Sequence, residues 1–92
     1  MRKIEISGRF KQDLKRELKG RHHLTLLADL TLITDQLVND QLLQPRHRDH
    51  PLSGKWKNHR DCHVKPDLVL IYQKPDETTL VLERLGSHSE LF

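Results

Sequence analysis

The chain has 92 residues, of which 35% are hydrophobic and 32% are charged, so it has room for one core and one site. Its longest apolar runs, such as LVLIY at 68–72, are far too short to cross a bilayer, and its amino terminus, MRKIEISGRF, has no apolar signal segment. The single cysteine, Cys62, cannot form an internal disulfide. We therefore expect a single cytoplasmic domain over residues 1–92 with no membrane partner.

Positive charge is concentrated in two segments, although the formal net charge is only +3. Residues 1–23 contain eight basic and three acidic side chains, and residues 44–67 contain six basic and three acidic ones. Such a face attracts RNA, DNA or an acidic protein, and the ordinary alternative is a surface that keeps the protein soluble. If the charge serves RNA binding, the candidates are Lys11, Lys15, Arg16, Arg46 and Arg48.

Two helices are predicted after a short amino-terminal strand. The segment RKIEIS alternates its side chains with period two, and Ser7 can then cap a helix in which Phe10, Leu14 and Leu18 recur every four residues. A second helix is predicted at roughly 23–39. Its apolar stripe consists of Leu26 or Leu27, Leu30, Ile33 and Leu37.

The second half of the chain is typical of a loop followed by strands. Residues 40–58 have no clean period and contain two prolines and a glycine, which indicates a loop. Strands are predicted at 60–64, 68–72 and 79–85, and the short turns KPD and KPDE between them demand antiparallel pairing. The predicted fold class is α+β: an antiparallel twisted sheet with an N-terminal strand and two N-terminal helices packed on one face.

The stretch HRDCHVKPD, residues 59–67, is unusually dense in titratable groups. On a strand, Asp61 and His63 share one face, and Cys62 points to the other face, toward the helices. Asp61 and His63 would then stand on the open face, with Asp67 as a cross-strand neighbour. The pattern favours a site on the face away from the helices.

Three further side chains could converge on that face. The last strand places Arg84 on the same face as Leu80 and Leu82, and a turn after it would fold His88 back toward the sheet. His50 lies in the basic loop. Histidines with acidic partners and an arginine suit RNA cleavage without a metal, because imidazoles transfer protons near neutral pH and a guanidinium neutralises phosphate charge. The ordinary alternative is a set of solvated polar side chains.

A zinc site is the competing interpretation of the same stretch. His59, Asp61 and His63 would share one strand face, and zinc accepts such ligands. Successive ligands would however lie about 7 Å apart along the strand, which is long for a tetrahedral site. We therefore predict no metal and no other cofactor.

Four sequence blocks, HPL...W, RD.HV.PD, LIY and R.GSHSELF, resemble those of a known family in their order and spacing. DHPLSGKWKNHRDCHVKPDLVLIYQ followed by ERLGSHSELF, within residues 49–92, is similar to the YafQ-type branch of the RelE/ParE toxin superfamily of bacterial toxin-antitoxin pairs. The resemblance implies a small microbial-ribonuclease-like α+β fold. It also implies an mRNA interferase that cuts mRNA in the ribosomal A site without a metal, leaves a cyclic phosphate and is silenced by a cognate antitoxin.

The resemblance also implies which residues carry the reaction. The family's catalytic positions fall on His50, Asp61, His63, Asp67, Arg84, His88 and Phe92. His88 is the expected general acid, and either His50 or His63 is the base or the stabiliser of the transition state, oriented by Asp61 or Asp67. Phe92 would stack on a base or pack on the sheet edge. The expected partners are the ribosome with its rRNA, mRNA, and an acidic antitoxin.

Two other functions stay open from the sequence. A ParE-type toxin that inhibits gyrase binds a protein target and hydrolyses nothing, so it does not need the histidines. A non-catalytic RNA-binding module would keep the basic helix and have no use for an acid-base set. The histidines favour the nuclease.

Overall fold

A computed structural model describes residues 1–92 and contains one five-stranded sheet. The strands, in chain order, are β1 (Lys3–Ile6), β2 (His50–Pro51), β3 (Arg60–Lys65), β4 (Leu68–Gln73) and β5 (Thr79–Gly86). They lie in the order β1-β5-β4-β3-β2, with β1 parallel to β5 and every other neighbouring pair antiparallel. The predicted meander of three strands is confirmed, as is the α+β class.

Three helices accompany the sheet: α1 (Gly8–Glu17), α2 (Leu26–Val38) and the short α3 (His88–Leu91). Ser7 caps α1 as predicted, because its Oγ accepts a hydrogen bond from the backbone N–H of Phe10 at 3.0 Å. The second helix begins later than expected, since residues 21–25 form turns. None of the helices has the length and apolarity needed to cross a bilayer.

The helices α1 and α2 cover one face of the sheet, where the main core lies. This core contains 14 buried residues from both helices and from β3, β4 and β5. Cys62 and Val64 belong to it, so the predicted direction of their side chains is confirmed. The other face carries a smaller cluster in which Val69 and Ile71 contact Leu91 of α3.

The predicted loop at 40–58 is more ordered than its sequence indicates. It contains 3-10 turns at Pro45–His47 and Gly54–Trp56, with β2 between them on the edge of the sheet. A two-residue strand cannot display a period, and its proline is tolerated because an edge strand leaves one side of its backbone unpaired. Leu52 and Trp56 of this segment pack on the smaller cluster, so the face opposite the helices is partly covered.

A bulge in β5 changes the direction of the side chains near its end. Tyr72 pairs with Leu82, and the preceding Ile71 pairs with Arg84, so Glu83 is an extra residue. The shift brings Leu85 into the helix-covered core. The expectation that Arg84 shares a face with Leu80 and Leu82 is therefore wrong, because the bulge interrupts the alternation.

Candidate active site

His50 and Asp61 face each other across the edge of the sheet, where β2 pairs with β3. The Nδ1 atom of His50 lies 2.7 Å from the carbonyl oxygen of Arg48 and 3.1 Å from Oδ1 of Asp61. A carbonyl can only accept, so Nδ1 carries the proton and donates it to Arg48. In the neutral ring Nε2 is then an unprotonated acceptor, which is the form that a general base requires.

Asp61 is buried, with only 2% of its surface exposed, and its Oδ1 has no hydrogen-bond partner. The proximity of His50 does not satisfy this oxygen, because the shared nitrogen directs its proton to the carbonyl. Burial raises the pKa of Asp61, and the nearby charges of His50, His63 and His88 oppose that rise. The expectation that Asp61 stands on an open face is wrong, since the loop and α3 pack over this face.

His63 and His88 complete a group of three imidazoles that lie near enough to Asp61 for their charges to lower its pKa. His63 is half-buried, and its Nδ1 donates to the carbonyl of Pro66 at 3.2 Å, so its Nε2 is also left as an acceptor. His88 is the first residue of α3 and is exposed. Its position is fixed because Ser87 and Glu90 form a reciprocal capping box around the start of this helix.

Phe92 lies beside His88 at the end of the chain. The two ring centres are 4.6 Å apart with an interplanar angle of 32°, and Phe92 keeps 48% of its surface exposed. Leu91, in contrast, is buried in the smaller cluster. The chain end is thus anchored by Leu91, and it leaves the ring of Phe92 half-exposed beside His88.

Asp67 lies outside the group of imidazoles. Its carboxylate is 2.8 Å from Nε2 of His22 and 2.7 Å from Nη2 of Arg21. Burial raises the pKa of Asp67, but the hydrogen bond from His22 and the charges of His22 and Arg21 outweigh it and hold the pKa below its usual value. The expected cross-strand contact is wrong, because Asp61 pairs with Ile71 and Asp67 precedes β4.

Arg84 is held by Asp13 of α1. Its Nε and Nη2 atoms lie 2.7 Å and 3.3 Å from the two carboxylate oxygens, in a bidentate pair. Asp13 also accepts from Arg16 at 3.0 Å and from the backbone N–H of Leu85 at 3.0 Å. Burial raises the pKa of Asp13, and these hydrogen bonds and charges outweigh it, so the pKa falls below its usual value.

The proposed row of metal ligands is not formed. His59 turns its Nε2 toward Glu83, at 3.1 Å, and its ring meets Trp56 edge-on with centres 5.2 Å apart. No three His, Cys, Asp or Glu side chains are arranged to hold an ion. Asp61 and His63 are therefore left with the other two imidazoles.

Comparison with known proteins identifies relatives of this chain. The model of the family described as "Bacterial toxin of type II toxin-antitoxin system, YafQ" matches residues 2–92. The mRNA interferase toxin YafQ of Escherichia coli K12 is 41% identical over 92 residues, covering 99% of this chain and 96% of the relative. This chain belongs to the YafQ toxin family. The family resemblance predicted from the sequence is confirmed.

Two solved structures extend the similarity to the fold. A metal-bound toxin from Helicobacter pylori has a TM-score of 0.86 at 49% identity, and each chain is covered completely. The E. coli DinJ-YafQ toxin-antitoxin complex contains a chain with a TM-score of 0.83 at 39% identity, covering 99% of this chain and 97% of that one. The overall fold of a YafQ-family toxin is thus confirmed.

The five basic residues predicted to bind RNA differ in whether their side chains are available to a ligand. Lys11, Lys15, Arg46 and Arg48 are exposed. Arg16 is committed to the protein itself, because Nη2 donates to the carbonyl of Leu85 at 2.9 Å and Nε pairs with Glu17 at 2.9 Å. In this YafQ-family chain, Arg16 therefore supports the end of β5 as well as adding positive charge.

Asp13 is the residue that the sequence analysis missed. It lies three residues after the buried Phe10 and one before Leu14, so it falls on the apolar stripe of α1. A carboxylate on the apolar stripe of a basic helix is the signal that could have identified it, and Asp13 shares that signal with Glu17. Its partner could not be identified in this way, because Arg84 is 71 residues away in the sequence.

Proposed function

We propose that this chain is the toxin of a type II toxin-antitoxin system and acts as an mRNA interferase. In this proposal it is a single domain that works in the cytoplasm and cuts mRNA in the ribosomal A site without a metal. The observation that carries the proposal is the group of three imidazoles around Asp61. This acidic side chain is buried and has an unpartnered oxygen, and perturbed groups of this kind cluster at functional sites.

Cleavage requires two proton transfers and produces a cyclic phosphate. His50 removes the proton of the 2'-hydroxyl through its free Nε2, and the 2'-oxygen attacks the adjacent phosphorus. The bond from phosphorus to the 5'-oxygen breaks, and His88 donates a proton to that leaving oxygen. Each well-placed proton transfer of this type contributes about a hundredfold to ten-thousandfold in rate.

Asp61 and His63 serve the charged states of this reaction. Asp61 lies 3.1 Å from His50, so its carboxylate stabilises the imidazolium that forms when His50 accepts the proton. His63 in its protonated form, whose charge also acts on Asp61, stabilises the negative phosphorane. The exchange of roles between His50 and His63 is the alternative, because Nδ1 is the donor in both rings.

Asp67, Arg84 and Phe92 have supporting roles in the proposal. Asp67 is anchored by Arg21 and His22, and it fixes the turn whose Pro66 carbonyl orients His63. The Nε and Nη2 atoms of Arg84 are hydrogen-bonded to Asp13, so its Nη1 atom is left to bind a phosphate oxygen. Phe92 stacks on a base, an interaction worth about 1–3 kcal/mol.

The proposed partners follow from charge and from the relatives. Lys11 and Lys15, with Arg16, form a basic helix face for ribosomal RNA, and Arg46 and Arg48 contact RNA from the loop. An acidic antitoxin holds the toxin inactive, as complementary charge would speed its capture. The structure of the E. coli DinJ-YafQ complex supports such a pairing for a relative.

A ribosome assay separates this function from its alternatives. The protein is incubated with translating ribosomes and a defined mRNA, and new 5' ends are mapped. Cleavage within the A-site codon is expected, with no effect on DNA supercoiling by gyrase. Inhibition of gyrase with an intact message would indicate a ParE-type toxin, and binding without either effect would indicate an RNA-binding module.

A further inference from the structure

A cavity of about 300 Å³ lies next to the candidate active site, at the far end of β3. It is formed by α2, by the 3-10 turn Pro45–His47 and by the last residues of β3. Its volume is at the lower end of the range that small-molecule sites occupy. The residues that line it include Asp29, Leu32, Arg46, His63 and Lys65.

The cavity exists because β2 is too short to cover β3. The two residues of β2 pair only with Arg60 and Asp61, so the edge of β3 beyond them has no neighbouring strand. The 3-10 turn fills this position, and the buried His47 donates from Nδ1 to the carbonyl of His63 at 2.7 Å. This hydrogen bond holds the 3-10 turn, which forms one wall of the cavity, against His63 of the imidazole group.

The walls combine apolar surfaces with a polar edge. Leu32, Ile33 and Val64 supply the apolar part. At one side, Nζ of Lys65 lies 2.5 Å from the carboxylate of Asp29, and the lysine side chain is only 14% exposed. A nucleobase has apolar faces and an edge of hydrogen-bond donors and acceptors, so an adjacent donor and acceptor in an apolar slot match its chemistry.

The mouth of the cavity is positively charged. Arg46, Arg48, His63 and Pro66 line a neighbouring recess, and Arg46, His63 and Pro66 line both. The recess has no acidic residue in its lining. Guanidinium groups without a carboxylate partner are suited to phosphate.

We propose that this cavity binds the base of one mRNA nucleotide that flanks the scissile bond, with Arg46 and Arg48 on its phosphate. The proposal rests on the proposed mRNA interferase function, and it adds a sequence-determining subsite to it. His63 lines the cavity and also belongs to the imidazole group, so an RNA strand can pass directly from the imidazole group into the cavity. The polar edge formed by Lys65 and Asp29 then determines which base is preferred.

The test is a map of cleavage sites in a randomised mRNA pool on ribosomes. Lys65→Met removes the donor at the polar edge and should change the base preference at one flanking position by about fivefold to a hundredfold. Leu32→Trp fills the slot from a half-exposed position and should erase the preference at that same position. Arg46→Ala with Arg48→Ala should lower cleavage of all sequences to a similar extent.

Lys74→Met is the matched control, because Lys74 also forms a partly exposed pair with an aspartate, Asp40, at 2.7 Å. It should leave the cleavage map unchanged. An unchanged map for both Lys65→Met and Leu32→Trp, in proteins that still cleave, would overturn the subsite and leave the proposed function standing. Failure of the unaltered protein to cleave any message would instead overturn the proposed function. Loss of antitoxin binding by Leu32→Trp, with an unchanged map, would show a protein-docking cavity and also overturn the subsite.

Discussion

Asp13 and Asp61 are both buried, yet their surroundings are opposite. Asp13 accepts hydrogen bonds from two arginines and a backbone N–H, and its pKa is lowered. Asp61 has an oxygen without any partner, and its pKa is raised by burial. A carboxylate with its hydrogen bonds made can stabilise the fold, whereas a buried one left without partners costs stability. The junction of α1 with β5 is therefore structural, and we propose that the reaction takes place at the junction of β2 with β3.

The largest expected effect is on catalysis. Asp61→Asn keeps the size of the side chain and removes the charge that stabilises the protonated His50. Cleavage on programmed ribosomes should fall by about a hundredfold to ten-thousandfold. The free energy of unfolding at neutral pH should not fall. A variant that cleaves normally, or that unfolds more readily, would place Asp61 with Asp13 as a structural residue.

The next effect is on stability. Asp13→Asn removes the charge that compensates Arg84 and Arg16, and loss of one partner of a buried pair costs about 3–5 kcal/mol. We expect the lower end of that range, because Arg16 is partly open to solvent. Urea unfolding measures it. The control is Asp35→Asn on the exposed side of α2, which should change stability by less than about 0.5 kcal/mol.

The sequence predicted the elements that are long enough to show a pattern. The strands β1 and β3 each have two apolar residues spaced two apart, β4 and β5 contain apolar runs, and the helices α1 and α2 repeat their apolar residues every three or four positions. The two-residue β2 and the four-residue α3 do not, so α3 was expected only as a turn. The burial of Asp61 was missed for the same reason, since α3 and the Leu52–Trp56 segment that cover this face had no signal of their own.

The sequence predicted which residues belong to the candidate site, but it predicted only partly where their side chains lie. The histidines and Asp61 were identified because such residues suit acid-base chemistry and match the family blocks. The bulge at Glu83 has a sign in the sequence that the strand prediction does not use, because Leu80, Leu82 and Leu85 are spaced two and then three positions apart, which breaks strict alternation. Asp67 was assigned to the wrong neighbours, since a turn residue has no fixed strand face. Its partners Arg21 and His22 come from a distant segment between the helices.

The two aspartates should also respond to pH in opposite directions. The pKa of Asp13 is lowered by folding, so its stabilisation is present above about pH 4 and is lost as the pH falls through the folded value. The pKa of Asp61 is raised, so its favourable contribution is present below about pH 4 and is lost as the pH rises through the folded value.

This difference gives a prediction for the variants. Relative to the unaltered protein, Asp13→Asn should lose most stability at neutral pH and little at acidic pH. Asp61→Asn should gain stability at neutral pH, and that gain should disappear on acidification. Thermal unfolding between pH 3 and pH 7 measures both. If the stability of both variants changed with pH in the same way, the proposed difference between Asp13 and Asp61 would be contradicted.

The smallest expected effect is that of a chelator. A cation at the unpartnered oxygen of Asp61 is the competing explanation, and a related H. pylori toxin has been crystallised with metal. In our account, imidazoles and water-borne protons are sufficient for the reaction. Cleavage should therefore be unchanged after the toxin alone is treated with EDTA and desalted, before ribosomes are added. A loss that zinc restores would assign the unpartnered oxygen to a metal.

The most direct test of the account is single-turnover cleavage by His88→Ala, measured beside its unfolding. His88 is exposed at the first turn of α3, while the capping box and the buried Leu91 hold that helix in place. We expect a cleavage rate about a hundredfold to ten-thousandfold lower, with a free energy of unfolding within about 0.5 kcal/mol of the unaltered protein. Cleavage at the original rate by a folded His88→Ala protein would contradict the central claim that this imidazole protonates the leaving oxygen.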